Sequence, residues 1–181
     1  MRNKAKANHK DYVSFSQNRA DGAGGGGIVT MVANNLKAYA TKVTSNNKHD
    51  EFMVTRLDHV KPALNIIHVY GQTEGRAGQQ KVLEGCAEIL KELTNIEARK
   101  ELALLVGDLN RAVGRGELGI EGNSSKISYG GQLIRDLIGA GEYVLLNNLS
   151  LAVGGPWTRV CPGAGGSSCL DLAIGSRELV Q

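Results

Sequence analysis

Residues 102–114 read LALLVGDLNRAVG, a short apolar run that passes directly into Gly107-Asp108-Leu109-Asn110. Five apolar residues bounded by glycine are too few for a helix and predict a buried strand over 102–106. Asp108 and Asn110 then stand at its C-terminal end, two residues apart and, by strand alternation, on one side. A carboxylate and a carboxamide so placed can hold a water or a metal together with a phosphate oxygen. The same residues also fit an ordinary strand followed by an Asp/Asn turn, so the surrounding segments have to decide.

Upstream, Leu64–Tyr70 (LNIIHVY) predicts another strand, with Leu64, Ile66, His68 and Tyr70 on one face and Asn65, Ile67 and Val69 on the other. Between the two strands the period changes. Val82, Cys86, Ile89, Leu90 and Leu93 recur at three- and four-residue steps, predicting a helix over 76–93. Before them, 12–16, 26–33, 38–44 and 51–57 alternate or are β-branched and predict a meander of strands, separated by glycine- and asparagine-rich breaks. Downstream, Leu133, Ile134, Leu137 and Ile138 predict a helix over 130–139, stopped by glycines. Short strands follow at 143–147, 157–160 and 169–174. This order of elements is α+β, compatible with two sheets packed face to face and helices outside. Residues 1–181 read as one domain with a flexible start over 1–11.

A composition of 41% hydrophobic and 22% charged residues excludes disordered and collagenous chains. No apolar run reaches the roughly 18–20 residues of a membrane span, and the basic start has no signal-peptide core, which predicts an intracellular protein. Three cysteines without CxxC spacing give neither a disulfide framework nor a zinc site. The net charge of +3 permits nucleic-acid binding without demanding it. Gly22, Gly24 and Gly27 satisfy G-x-G-x-x-G, but the strand-like IVTMV follows where a dinucleotide site needs a helix.

Three further segments carry chemistry. Asp171 sits inside the apolar run CLDLAI, where a charge is costly unless paired or hydrogen-bonded; an edge-strand Asp facing solvent is the plainer alternative. Tyr70 places a phenol at a strand end, and Thr158-Arg159 follows the turn GGPW. Taken in order, the strand ending in Tyr70, GDLN at 107–110, WTR at 157–159 and SCLDLAI at 168–174 resemble the endonuclease/exonuclease/phosphatase superfamily. The resemblance is strongest to the apurinic-type endonuclease domains of non-LTR retrotransposons, with DGAGGGGIVTMVA at 21–33 resembling their glycine-rich hairpin entry.

That resemblance implies a four-layered αββα sandwich of two mainly antiparallel sheets and Mg²⁺-dependent hydrolysis of a DNA phosphodiester, with Mn²⁺ as a substitute. It implies that Asp108 orients the attacking water, that Asn110 holds that water or the phosphate, and that both serve the metal. Tyr70 resembles the tyrosine beside the scissile phosphate, and Asp171 the aspartate that orients a catalytic histidine. Thr158, Arg159 and Arg111 fall to substrate binding. DNA is the implied partner, with a reverse transcriptase in the parent polypeptide and the nucleus as the place of action. The sequence departs from the pattern twice. Its first glutamate, Glu51, lies too deep in the meander to be the expected metal ligand, and its last histidine is His68, so none follows Asp171. Relative to the family the chain reads as truncated at both ends. Two alternatives to the retroelement nuclease stay open: an inactive remnant that at most binds nucleic acid, and another phosphatase of the superfamily.

Overall fold

A computed structural model describes residues 10–17, 27–43, 52–72, 78–115, 126–148, 159–161, 166–168 and 171–180. The elements are β1 (Tyr12–Gln17), β2 (Ile28–Ala33), β3 (Ala40–Val43), β4 (Phe52–Leu57), β5 (Leu64–Tyr70), α1 (Gln79–Ala98), β6 (Leu102–Asp108), α2 (Tyr129–Gly139), β7 (Tyr143–Leu145), β8 (Arg159–Cys161), β9 (Gly166–Ser168) and β10 (Asp171–Ser176). Six strands form one sheet in the order β3-β4-β5-β6-β10-β7. Among the described strands only β5 and β6 are parallel, joined by the crossover helix α1 that a parallel pair requires. Two-stranded ladders, β1-β2 and β8-β9, complete the strands.

Strand alternation sorts the sheet into two faces. Ile67 and Val69 of β5, Ala103 and Leu105 of β6, and Leu172 and Ile174 of β10 point to one face, where Ile89, Leu93 and Ile96 of α1 and Ile134 and Ile138 of α2 close over them. Burying one such side chain contributes about 1.5–3 kcal/mol, so this cluster is the main source of stability. The opposite face carries Met53 and Thr55, both fully buried although outside the helix-side cluster. Here β1-β2 covers the sheet: Ile28 and Val32 are buried, Gln17 Nε2 donates to the Phe52 carbonyl at 2.9 Å, and Thr30 Oγ1 lies 3.3 Å from His68 Nδ1. The α+β sandwich expected from the sequence is therefore present, with both long helices on one side of the six-stranded sheet.

Two elements differ from expectation for local reasons. Residues 34–39 form a 3-10 helix, so the strand expected over 38–44 is limited to 40–43. Asn34 turns the chain there, its amide donating to the Lys10 carbonyl at 2.8 Å. Helix α1 continues past Leu93 to Ala98, since Ile96 falls three residues further on the same face and is fully buried; that burial outweighs the low helix propensity of Thr94 and Asn95.

Candidate active site

Strand β6 runs two residues further than its apolar run, to Asp108. Its neighbours on either side place Tyr70 of β5 and Asp171 of β10 directly opposite Asp108. Residues in register across neighbouring strands point to the same face. Tyr70, Asp108 and Asp171 thus form a row across three strands, on the face turned away from the helices. The next row on that face is His68, Val106 and Ala173. The sequence separates Tyr70 from Asp171 by about a hundred residues; the order β5-β6-β10 brings them together.

Asn110 joins the row by a turn rather than by strand alternation. Its backbone is left-handed, with φ of 50°, a conformation that Asn tolerates better than most residues. The Asn110 amide N–H donates to Asp108 Oδ1 at 3.0 Å, an Asx turn. Its side-chain Nδ2 donates to the Gly71 carbonyl at 2.8 Å. Gly71 N in turn donates to the Asp108 carbonyl at 2.7 Å, so the ends of β5 and β6 are stitched together at the site. Two glycines make this approach feasible. A Cβ on Gly71 would collide with the Leu109 carbonyl, and one on Gly107, whose φ is 133°, with the Val69 carbonyl.

Burial pushes the Asp108 carboxyl above its ordinary range. The Asn110 amide works against this, the facing charge of Asp171 adds to it, and Arg111 opposes it again. Two like charges on adjacent strands at the end of a sheet are a standing electrostatic cost, which a cation would relieve. Tyr70 is 41% exposed, open to a bound molecule.

Arg111 departs from expectation. It is 2% exposed, and its Nη1 donates to the carbonyls of Gln72 and Asn110 while its aliphatic stem lies against Gly130 of α2. A guanidinium so enclosed cannot reach a polyanion outside, so the expected substrate contact is replaced by a tie between the loops after β5 and β6. Thr158 lies outside the described residues, as does the side chain of Arg159, whose backbone opens β8. Among the described residues no three His, Cys, Asp or Glu side chains converge as a metal site.

Two supports escaped the reading of the sequence. Asn147 takes over the pairing of β10 beyond β7, accepting from Ala173 N at 2.7 Å and donating to the Asp171 carbonyl at 3.2 Å, which fixes the strand beneath Asp171. Ser128 caps α2, accepting from Gly131 N at 3.1 Å and Ala112 N at 3.2 Å. Ser preceding an apolar period is a cap signal that could have been read; the role of Asn147 has no local signature.

Solved structures with this arrangement of strands and helices can be named. The endonuclease domain of TRAS1, a telomere-specific non-LTR retrotransposon, superposes with a TM-score of 0.59 at 11% identity, over 95% of this chain and 70% of that one. The chain has the endonuclease/exonuclease/phosphatase fold. An AP endonuclease from Archaeoglobus fulgidus matches at a TM-score of 0.56 and 13% identity, over 93% of this chain and 68% of its own. A mannosyl-6-phosphatase from Bacteroides thetaiotaomicron matches at 0.59 and 10%, over 93% and 64%. The chain thus spans roughly two thirds of the length of these structures. No protein-family model matches the sequence, and no curated protein matches it. No helix among the described residues is long and apolar enough to cross a membrane.

Proposed function

We propose that the chain is a phosphodiesterase domain that nicks DNA with Mg²⁺, of the retroelement endonuclease type. The observation that carries this reading is the row of Tyr70, Asp108 and Asp171 with Asn110 at its end, on a fold shared with a retrotransposon endonuclease and an AP endonuclease. In this reading Asp108 accepts a hydrogen bond from the attacking water and aligns it with the phosphorus. Asn110, held by the Gly71 carbonyl, offers its amide oxygen to the same water or to the metal. The Tyr70 phenol donates to a non-bridging phosphate oxygen, where negative charge develops. Asp171 fixes the orientation of whatever group shares the row with it.

The donor set suits Mg²⁺, with Mn²⁺ as a substitute. Mg²⁺ is commonly held by one or two carboxylates, with water and substrate oxygens filling the remaining positions. Asp108 and Asn110 would hold the ion, which would offset the repulsion from Asp171 and supply charge neutralisation at the phosphate. A reverse transcriptase in the parent polypeptide, and action in the nucleus, follow from the retroelement reading and stand with it.

The alternative reading is an inactive remnant that at most binds nucleic acid. Nicking of supercoiled plasmid separates the two, using this chain and any longer product of its reading frame, with EDTA and Asp108→Ala as controls. EDTA-sensitive nicking that is lost in Asp108→Ala supports the nuclease. Nicking that survives Asp108→Ala would refute the assignment of the site, and no nicking by either form would leave the inactive remnant.

A further inference from the structure

Ser128 stands in extended backbone just before α2, and its Oγ accepts from Ala112 N at 3.2 Å and Gly131 N at 3.1 Å, so its side chain points into the molecule. Neighbours in extended backbone point the opposite way. Ile127 and Tyr129 are accordingly 39% and 52% exposed, and Tyr129 is more exposed than any other large apolar side chain among the described residues. Ile127 is held by a bridge to Val113, on the loop that leaves Asp108 and Asn110. Gly130, next to Tyr129, meets the Arg111 side chain, whose Nη1 reaches the carbonyls of Asn110 and Gln72. One arginine thus spans from the candidate site to the start of α2, and the exposed pair lies beside the row that Tyr70 opens.

The same surface is basic. Residues 109–115 and 126–135 contain Arg111, Arg115, Lys126 and Arg135 and no aspartate or glutamate, in a chain whose net charge is only +3. Lys126 and Arg115 are exposed. Lys126 precedes Ile127, and Arg115 follows Gly114, against which the Ile127 side chain lies. Arg135 Nη1 donates to the carbonyls of Val113 and Arg115 at 3.0 and 3.1 Å, which holds this loop against α2.

From this placement we infer that the surface around Ile127 and Tyr129 binds single-stranded DNA, with phosphates against Arg115 and Lys126 and an unstacked base on the Tyr129 ring. Charge of one sign selects a polyanion. The exposed phenol ring and its apolar neighbour select among polyanions: a duplex covers its base faces by stacking, whereas a single strand offers them, and every base can stack on an aromatic ring. The choice of DNA rests on the reading of the row as a DNA-cleaving site, and the inference deepens that reading by naming the form of the strand.

Fluorescence anisotropy in EDTA, where no metal-dependent cleavage occurs, measures binding of the full chain to a labelled DNA strand, to that strand annealed to its complement, and to the RNA strand of the same sequence, all at one salt concentration. The single DNA strand is expected to bind at least about 5-fold more tightly than the duplex. Tyr129→Ala should weaken the single strand about 10-fold and leave the duplex nearly unchanged, while Tyr129→Phe, which keeps the ring, should keep the preference. Lys126→Gln should weaken single strand and duplex alike. Repulsion from Asp108 and Asp171 acts on both forms and leaves the comparison intact. Duplex or RNA bound as tightly as the single DNA strand, or unchanged single-strand affinity in Tyr129→Ala, would overturn the inference. Plasmid nicking by the same proteins keeps it apart from the nuclease reading. Single-strand binding that is lost in Tyr129→Ala, without any Mg²⁺-dependent nicking, sinks the nuclease reading alone; nicking without a preference for the single strand sinks this inference alone.

Discussion

Asp108 and Asp171 stand opposite one another on the antiparallel strands β6 and β10, each at the end of its strand nearest the candidate site. Their Cα atoms are therefore about 4.5–5.5 Å apart. Burial foremost pushes the Asp108 carboxyl above its ordinary range, and the facing charge of Asp171 adds to that push. Replacing either by its amide should relieve the repulsion: Asp171→Asn is expected to raise stability by up to about 1 kcal/mol while impairing cleavage. A urea denaturation series paired with plasmid nicking would show this opposition of stability and activity; loss of stability in Asp171→Asn would argue that the pair is structural.

The Arg111 guanidinium joins two loops through backbone carbonyls. Arg111→Met should cost about 3 kcal/mol, because the carbonyls of Gln72 and Asn110 lose a charged donor inside the protein. Arg111→Lys should recover part of this, as an ammonium reaches one carbonyl but cannot fork between two. Chemical denaturation of the three proteins checks the order.

Glu101 supplies the pH dependence. Burial tends to raise its pKa, but hydrogen bonds from Arg56, Asn65 and Arg99 outweigh burial and hold it at about 2, against an ordinary 4.5. A depressed folded pKa means the contribution is complete above the unfolded value and is lost as pH falls from about 4.5 towards 2. Glu101→Gln should cost about 2 kcal/mol at pH 6. The difference between the two proteins should shrink at pH 3, and a difference that stays constant from pH 6 to pH 2 would contradict the assignment.

Gly107→Ala tests the close approach of β5 and β6. The positive φ and the Val69 carbonyl together leave no room for a methyl group, and a loss of more than about 1 kcal/mol is expected. Gly78 also has positive φ, but nothing lies near it, so Gly78→Ala should cost less.

Much of this was legible in the sequence, and the reasons are local. The heptad-like run from Val82 to Leu93 could only be a helix, and LALLV before GDLN could only be a short buried strand. Tyr70, Asp108 and Asp171 could be marked as chemically unusual because each interrupts or ends an apolar run. Their alignment could not be read, since it depends on the order β5-β6-β10, which brings in a strand some sixty residues downstream. Arg111 misled for a related reason. An arginine beside a polar turn reads as a surface cation, and only Gly130 on a distant helix makes the space that buries it. Asn110 lies between the two cases: its residue type announced a turn, but its amide bond to Gly71 is long-range.

We propose that Asp108 and Asn110, facing Asp171, form a cation site for phosphodiester cleavage. Titrating Mg²⁺ while following the NMR resonances of Asp108, Asn110 and Asp171 tests it most directly. Weak but saturable shifts confined to these residues and to Gly71 and Tyr70, abolished in Asp108→Ala, are expected. Shifts that miss this row, or that persist unchanged in Asp108→Ala, would contradict it.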